Sequence, residues 1–101
     1  MEKIYVLGDL HTVSAYRLAG LAGRAAELDN AAAELEMLLS QPDAAIVLIT
    51  NDLAWNLRAR IIEINLKRPK PVIVEIPGID DERGFRRSAV GYISEALGIA
   101  L

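Results

Sequence analysis

Three short apolar runs mark the chain: Ile4-Tyr5-Val6-Leu7, Ala44-Ala45-Ile46-Val47-Leu48-Ile49 and Val72-Ile73-Val74-Glu75-Ile76. Each is rich in β-branched residues and stops at a breaker or polar residue: Gly8-Asp9, Thr50-Asn51-Asp52 and Pro77-Gly78. The first two do not alternate apolar with polar positions. Near-continuous apolarity over that length predicts strands covered on both faces, as in a parallel sheet between helix layers. Glu75 interrupts the third run and predicts an edge position.

The segments between these runs have helical character. Thr12 is a candidate cap for a helix through about Ala19, with Gly20 as its stop. Asp29 or Asn30 caps a second from Ala31 to Leu39, whose Ala31, Leu35 and Leu38 share one face, with Pro42 just beyond. A third is predicted from about Asp52 to Leu66, ending before Pro69. The last begins after Gly84 and reaches Leu97, with Phe85, Ala89, Val90, Ile93 and Leu97 as its inward stripe. Strict alternation also requires a strand within Gly23-Arg24-Ala25-Ala26-Glu27-Leu28. Alanine and glutamate are poor strand formers, so a short, marginal edge strand is expected there.

The resulting β-α-β-α-β-α-β-α pattern predicts a flavodoxin-like α/β fold. This is a three-layer open parallel sheet of four strands in the order 2-1-3-4, with right-handed crossovers and helices on both faces. The whole chain, 1–101, is expected to form one domain: an α/β core over 1–77, then a loop and C-terminal helix over 78–101. The two glycines of the loop Pro77 to Gly84 would let that last helix change its docking.

Composition narrows the function classes. The 101 residues carry 11 basic and 14 acidic side chains, a formal net charge of −3. That balance lacks the clustered positive charge a general nucleic-acid or anionic-membrane binder needs. At 52% hydrophobic the chain has ample apolar surface to offset the entropy of ordering. It has no cysteine, which excludes disulfides and thiolate-held zinc. Met1-Glu2-Lys3-Ile4 opens no signal-peptide pattern, no run approaches a membrane span, and a cytoplasmic address is expected.

In a sheet of this order, ligands bind outside the carboxyl ends of strands one and three. Gly8, Asp9, Leu10, His11, Thr50, Asn51 and Asp52 would line that crevice. Nucleotide binding is disfavoured, because one glycine followed by Asp9 makes a poor phosphate cradle. A phosphoacceptor site is disfavoured too: Thr50 stands where the accepting aspartate would be, and Asp9 has no acidic neighbour. Asp9-Leu10-His11-Thr12-Val13-Ser14 resembles the Asp-x-His-x-x-Gly motif with which cobalamin-binding proteins ligate cobalt, the aspartate tuning the histidine. Ser14 replaces the motif's glycine, however, and no paired glycines follow to admit the cofactor's tail. A small cobalamin-type binding domain using Asp9 and His11 is thus the alternative reading. The plainer one makes Asp9 or Thr12 a helix cap and His11 an exposed loop residue. With one histidine and no nucleophile–base pair evident, an enzyme is disfavoured.

Two surface features point to a partner instead. The helix from Asp52 to Leu66 has an inward stripe in Leu53, Leu57, Ile61 and Ile64. A second stripe, Trp55, Ala59, Ile62 and Leu66, lies nearly opposite and holds the chain's one tryptophan, a favoured interface anchor. It marks either a partner face or a surface covered by a neighbouring helix or by the loop Lys67 to Lys70. Near the last helix's start, Arg83, Arg86 and Arg87 follow Asp80-Asp81-Glu82. They read as local ion pairs or as a guanidinium patch for an acidic partner.

Taken together, Gly8-Asp9 after the first strand, Tyr16-Arg17-Leu18-Ala19-Gly20, Ile46 to Thr50, Pro71 to Gly78 and the terminal Ala96-Leu97-Gly98-Ile99-Ala100-Leu101 form a family pattern. In that order and spacing they resemble the F subunit of V-type (A/V-type) ATPases, which goes by the letter G in some sodium-pumping versions. Tyr16 stands where phenylalanine is common, and Asn51 where an acidic residue is frequent. The resemblance implies a non-catalytic subunit without a cofactor, with a small α/β fold and a mobile C-terminal region. It further implies binding to the coiled-coil D subunit in the central rotor shaft, and through it linkage to the A/B catalytic head and the proton- or sodium-moving membrane ring. The candidate partner residues are Arg17, Trp55, Ile62, Leu66, Arg86 and Arg87.

Overall fold

The computed structural model describes residues 2–79. Within them, β1 (Lys3–Gly8), α1 (Leu10–Leu18), β2 (Ala22–Ala25), α2 (Ala31–Leu39), β3 (Ala44–Thr50), α3 (Asn51–Asn56), α4 (Arg58–Lys67) and β4 (Val72–Ile76) follow one another. The four strands form one sheet in the order β2-β1-β3-β4. All three pairings are parallel: Tyr5 lies opposite Ala22 on one side and Val47 on the other, and Val47 lies opposite Ile73. The expected α/β architecture and strand order are therefore present. The predicted helix from Gly84 to Leu97 lies outside the described residues.

Alternation along the strands sorts the two faces of the sheet. Leu7, Val47, Ile49 and Ile73 join Leu35, Leu38, Leu53 and Ile64 in one buried cluster, so α2, α3 and α4 share a face. Val6 points the other way, towards Val13 of α1. The weak β-propensity of Ala22-Gly23-Arg24-Ala25 is offset by geometry at Gly23. A Cβ there would sit 2.5 Å from Val6 Cγ1, 2.8 Å from the Val6 carbonyl and 3.1 Å from Val13 Cγ1. Only glycine lets β2 approach β1 and α1 this closely. Gly20, at φ 97°, supplies the left-handed turn after α1.

Two helix expectations are corrected. Asp9, not Thr12, caps α1: its carboxylate accepts from the Thr12 backbone N–H at 3.0 Å. His11 consequently lies in the first turn of α1 rather than in a loop. The predicted single helix from Asp52 to Leu66 is two, separated at Leu57, whose φ of −106° and ψ of 13° depart from helical values. The Leu57 N–H reaches both the Leu53 and Ala54 carbonyls, and the Leu57 carbonyl then starts α4 by accepting from Ile61. Side chains take up carbonyls around the break, with Asn56 donating to Asp52 O (3.2 Å) and Arg58 to Trp55 O (2.7 Å). The inward stripe survives: Leu53 and Ile64 are buried, with Leu57 and Ile61 packed against the core.

β4 is an edge, as Glu75 suggested, and Asn65 of α4 closes part of it. Its side-chain amide donates to the Ile73 carbonyl (3.1 Å) and accepts from the Ile73 N–H (2.9 Å), pairing with the strand as a neighbouring backbone would. Arg60 joins α4 to α2 through Glu36 at 2.8 and 3.0 Å. At the opposite end of the sheet Tyr5 donates to Asp43 Oδ1 at 2.7 Å. Replacing Asn65 with alanine removes both bonds to Ile73 and should lower stability by about 1 kcal/mol. Urea denaturation of the two proteins measures the difference.

Candidate functional site

The carboxyl ends of β1 and β3 meet where a ligand crevice was expected. The first polar group there, Asp9, spends both carboxylate oxygens on one residue. Oδ2 accepts from the Thr12 N–H at 3.0 Å, and Oδ1 accepts from the Thr12 hydroxyl at 2.6 Å. Partial burial pushes the Asp9 carboxyl upward, but the hydrogen bonds from Thr12 outweigh it and hold it below the usual aspartate value. The fully buried Thr12 oxygen in turn accepts from the Ile79 N–H at 3.0 Å. The segment after β4 is thereby tied across the amino end of α1.

The β3 side is equally occupied by the chain itself. Gly8 packs so closely on Thr50 that a Cβ would lie 2.5 Å from Thr50 Cγ2. Thr50 is fully buried, and its hydroxyl has no hydrogen-bond partner among the described residues. Asn51, with its amide oriented to suit its neighbours, donates to Glu75 Oε1 (2.8 Å) and to Ile76 O (3.0 Å), linking α3 to the end of β4. An apolar groove of about 190 Å³ remains between α1 and the loop after β4, bordered by Thr12, Tyr16, Pro77 and Ile79.

This arrangement does not fit a cobalamin site. The motif pairs the aspartate with the histidine, whereas here the Asp9 oxygens accept from Thr12, no hydrogen bond joins Asp9 to His11, and His11 is exposed on the first turn of α1. Among the described residues, no group of three or more histidine, cysteine or acidic side chains could hold a metal ion. No described helix is long and apolar enough to cross a membrane.

The predicted partner residues fall into three groups. Arg17 donates to the Gly23 carbonyl at 2.8 Å, so it braces α1 against β2. Trp55, Ile62 and Leu66 are 67%, 58% and 81% exposed, so neither the loop Lys67 to Lys70 nor a neighbouring helix among the described residues covers them. Arg86 and Arg87 lie outside the described residues. Arg58, which the sequence pattern did not single out, stacks on the Trp55 ring with its guanidinium carbon 4.3 Å from the centroid. Its position three residues after Trp55 was the available signal.

Similarity to known proteins decides what the fold leaves open. Residues 4–92 match the family described as ATP synthase (F/14-kDa) subunit. The chain belongs to that family. Among its relatives, the F subunit of the A-type ATP synthase of Thermococcus gammatolerans is 28% identical and that of Thermococcus kodakarensis 29% identical. Each alignment spans 105 positions, covering 98% of this chain and 97% of the relative. This is therefore a subunit of an A/V-type ATPase. Substituting Asp9 with alanine should lower stability by about 1–2 kcal/mol near neutrality. Because the folded-state pKa is depressed, that contribution is complete above about pH 4 and is lost as pH falls through the lower folded value. Denaturation curves of the two proteins should converge in acid.

Proposed function

We propose that this chain is a non-catalytic subunit of the central rotor shaft, acting through contact with the D subunit. ATP turnover belongs to the A/B head and ion movement to the membrane ring, with the shaft coupling them as pump or synthase for protons or sodium. The chain would then be cytoplasmic and peripheral to the membrane through its complex. The observation that carries this reading is the exposed stripe of Trp55, Ile62 and Leu66 in a member of this subunit family. Large apolar side chains around an exposed tryptophan are the usual material of an interface centre.

Arg17 belongs to the proposed contact through its exposed position on α1, and Arg86 and Arg87 through their charge. The test is co-expression with the cognate D subunit followed by co-purification of a stoichiometric complex. Trp55→Ala should weaken that complex by more than about 1 kcal/mol while leaving the melting temperature of the isolated chain close to that of the parent. No complex at micromolar concentration would remove the reading.

A further inference from the structure

The α3–α4 surface has a charge of its own. Residues 51–70 contain five basic side chains (Arg58, Arg60, Lys67, Arg68, Lys70) against two acidic ones (Asp52, Glu63), a local +3 in a chain of −3. The remainder of the sequence therefore carries −6. Three of those cations are matched: Arg60 by Glu36 and Glu63, Lys67 by Glu63, and Lys70 by Glu2. Arg58 and Arg68 make no salt bridge among the described residues; Arg68 feels Glu36 only through space, and Glu36 is already bonded to Arg60. Arg58 is nonetheless held in place by the Trp55 ring and the Trp55 carbonyl.

Arg58 stands against the Trp55 end of the apolar stripe, and Arg68 follows its last member, Leu66, at the end of α4. Ala59, Ile62 and Leu66 recur on α4 at spacings of three and four, the seam spacing with which one helix receives another, and Trp55 stands on α3 just before the break. Beside the stripe, a groove of about 350 Å³ runs between the helices and the outer side of β4, lined by Trp55, Arg58, Ile61, Ile62 and Asn65, with the carboxylate of Glu75, which accepts from Asn51, also on its wall. The interruption at Leu57 sets Trp55 and Arg58 at one end of that groove.

From this arrangement we infer that the surface receives an amphipathic helix of the partner protein whose apolar seam is flanked by carboxylates, aligned so that they meet Arg58 and Arg68. The inference rests on the proposed shaft function and adds the chemistry of the partner segment. An acidic helix gains where the rest of this chain, itself acidic, would repel it, so the local charge selects the face. A second copy of this chain is disfavoured, because it would bring an equally cationic stripe against this one.

Titration of the full chain with the cognate D subunit, followed by emission of its single tryptophan against a Trp55→Phe blank, tests the idea. Emission of the isolated chain should be that of a solvent-exposed indole at every concentration, and should shift to the blue on complex formation. Raising NaCl from about 50 to about 500 mM should weaken the complex at least about tenfold. Arg68→Glu should weaken it about tenfold at low salt and remove most of the salt dependence, while Lys3→Glu on β1 changes affinity less than about twofold. A complex indifferent to salt and to Arg68→Glu overturns the acidic helix and leaves the shaft function standing. Emission already blue in the isolated chain would place residues 80–101 on the face, and a blue shift growing with its own concentration a second copy; either overturns the inference. Absence of any complex removes the functional reading and the inference together. The salt titration uses the unaltered protein, so its outcome does not depend on how a variant folds.

Discussion

Parallel pairing of β1 with β3 constrains everything else in this small domain. Parallel neighbours cannot be joined by a tight turn, so each connection must travel back along the sheet as a crossover. The first crossover takes α1 and β2 to one side of β1, and the second brings α2 back across to β3. Val6, Leu7, Val47 and Ile49 in the two central strands are thereby buried completely. All four strands end at the same edge of the molecule, which gathers Gly8, Asp9, Thr50 and Asn51 there whatever their use.

In many sheets of this order that edge is where chemistry happens, and here the local hydrogen bonds explain why the same geometry serves the fold. A carboxylate at the start of a helix can accept from the helix backbone or support an outside group. Asp9 does the first through the Thr12 N–H and also accepts from the Thr12 hydroxyl, whose oxygen anchors Ile79. Its carboxylate keeps acceptor sites to spare, but no hydrogen bond joins it to His11, which lies exposed on the first turn of α1.

Features fixed by local pattern were legible in the sequence. The uninterrupted apolar runs marked the central strands, Glu75 marked the edge, and Ala31, Leu35 and Leu38 marked the buried face of α2. What escaped depends on partners distant along the chain or on competing local bonds. Thr12 and Asp9 are both good capping residues, and only the fold shows which one accepts the helix N–H groups. The hydrogen bond from Ile79 to Thr12 spans 67 positions, and no spacing rule reaches that far. The break at Leu57 carries no proline or glycine; its carbonyls are diverted to Asn56 and Arg58 side chains, a choice invisible to periodicity. The exposed Trp55 stripe was legible as a pattern, but its exposure was not, since the same residues could have lain under another helix.

The energetics of that stripe explain why charge matters beside it. The exposed parts of Trp55, Ile62 and Leu66 amount to roughly 400 Å², of order 10 kcal/mol if fully removed from water. Association of two proteins costs on the order of 4–15 kcal/mol in lost freedom, the same size as that gain. Apolar burial alone therefore leaves binding near balance, and it is indifferent to which way along the seam a partner helix runs. Two like charges do not choose a direction, but a guanidinium held on the Trp55 ring, with Arg68 at the end of α4, sets where along the seam the partner's carboxylates sit without adding apolar area. Arg58 is also already ordered by the ring and the Trp55 carbonyl, so little conformational freedom remains to be lost when it meets a carboxylate.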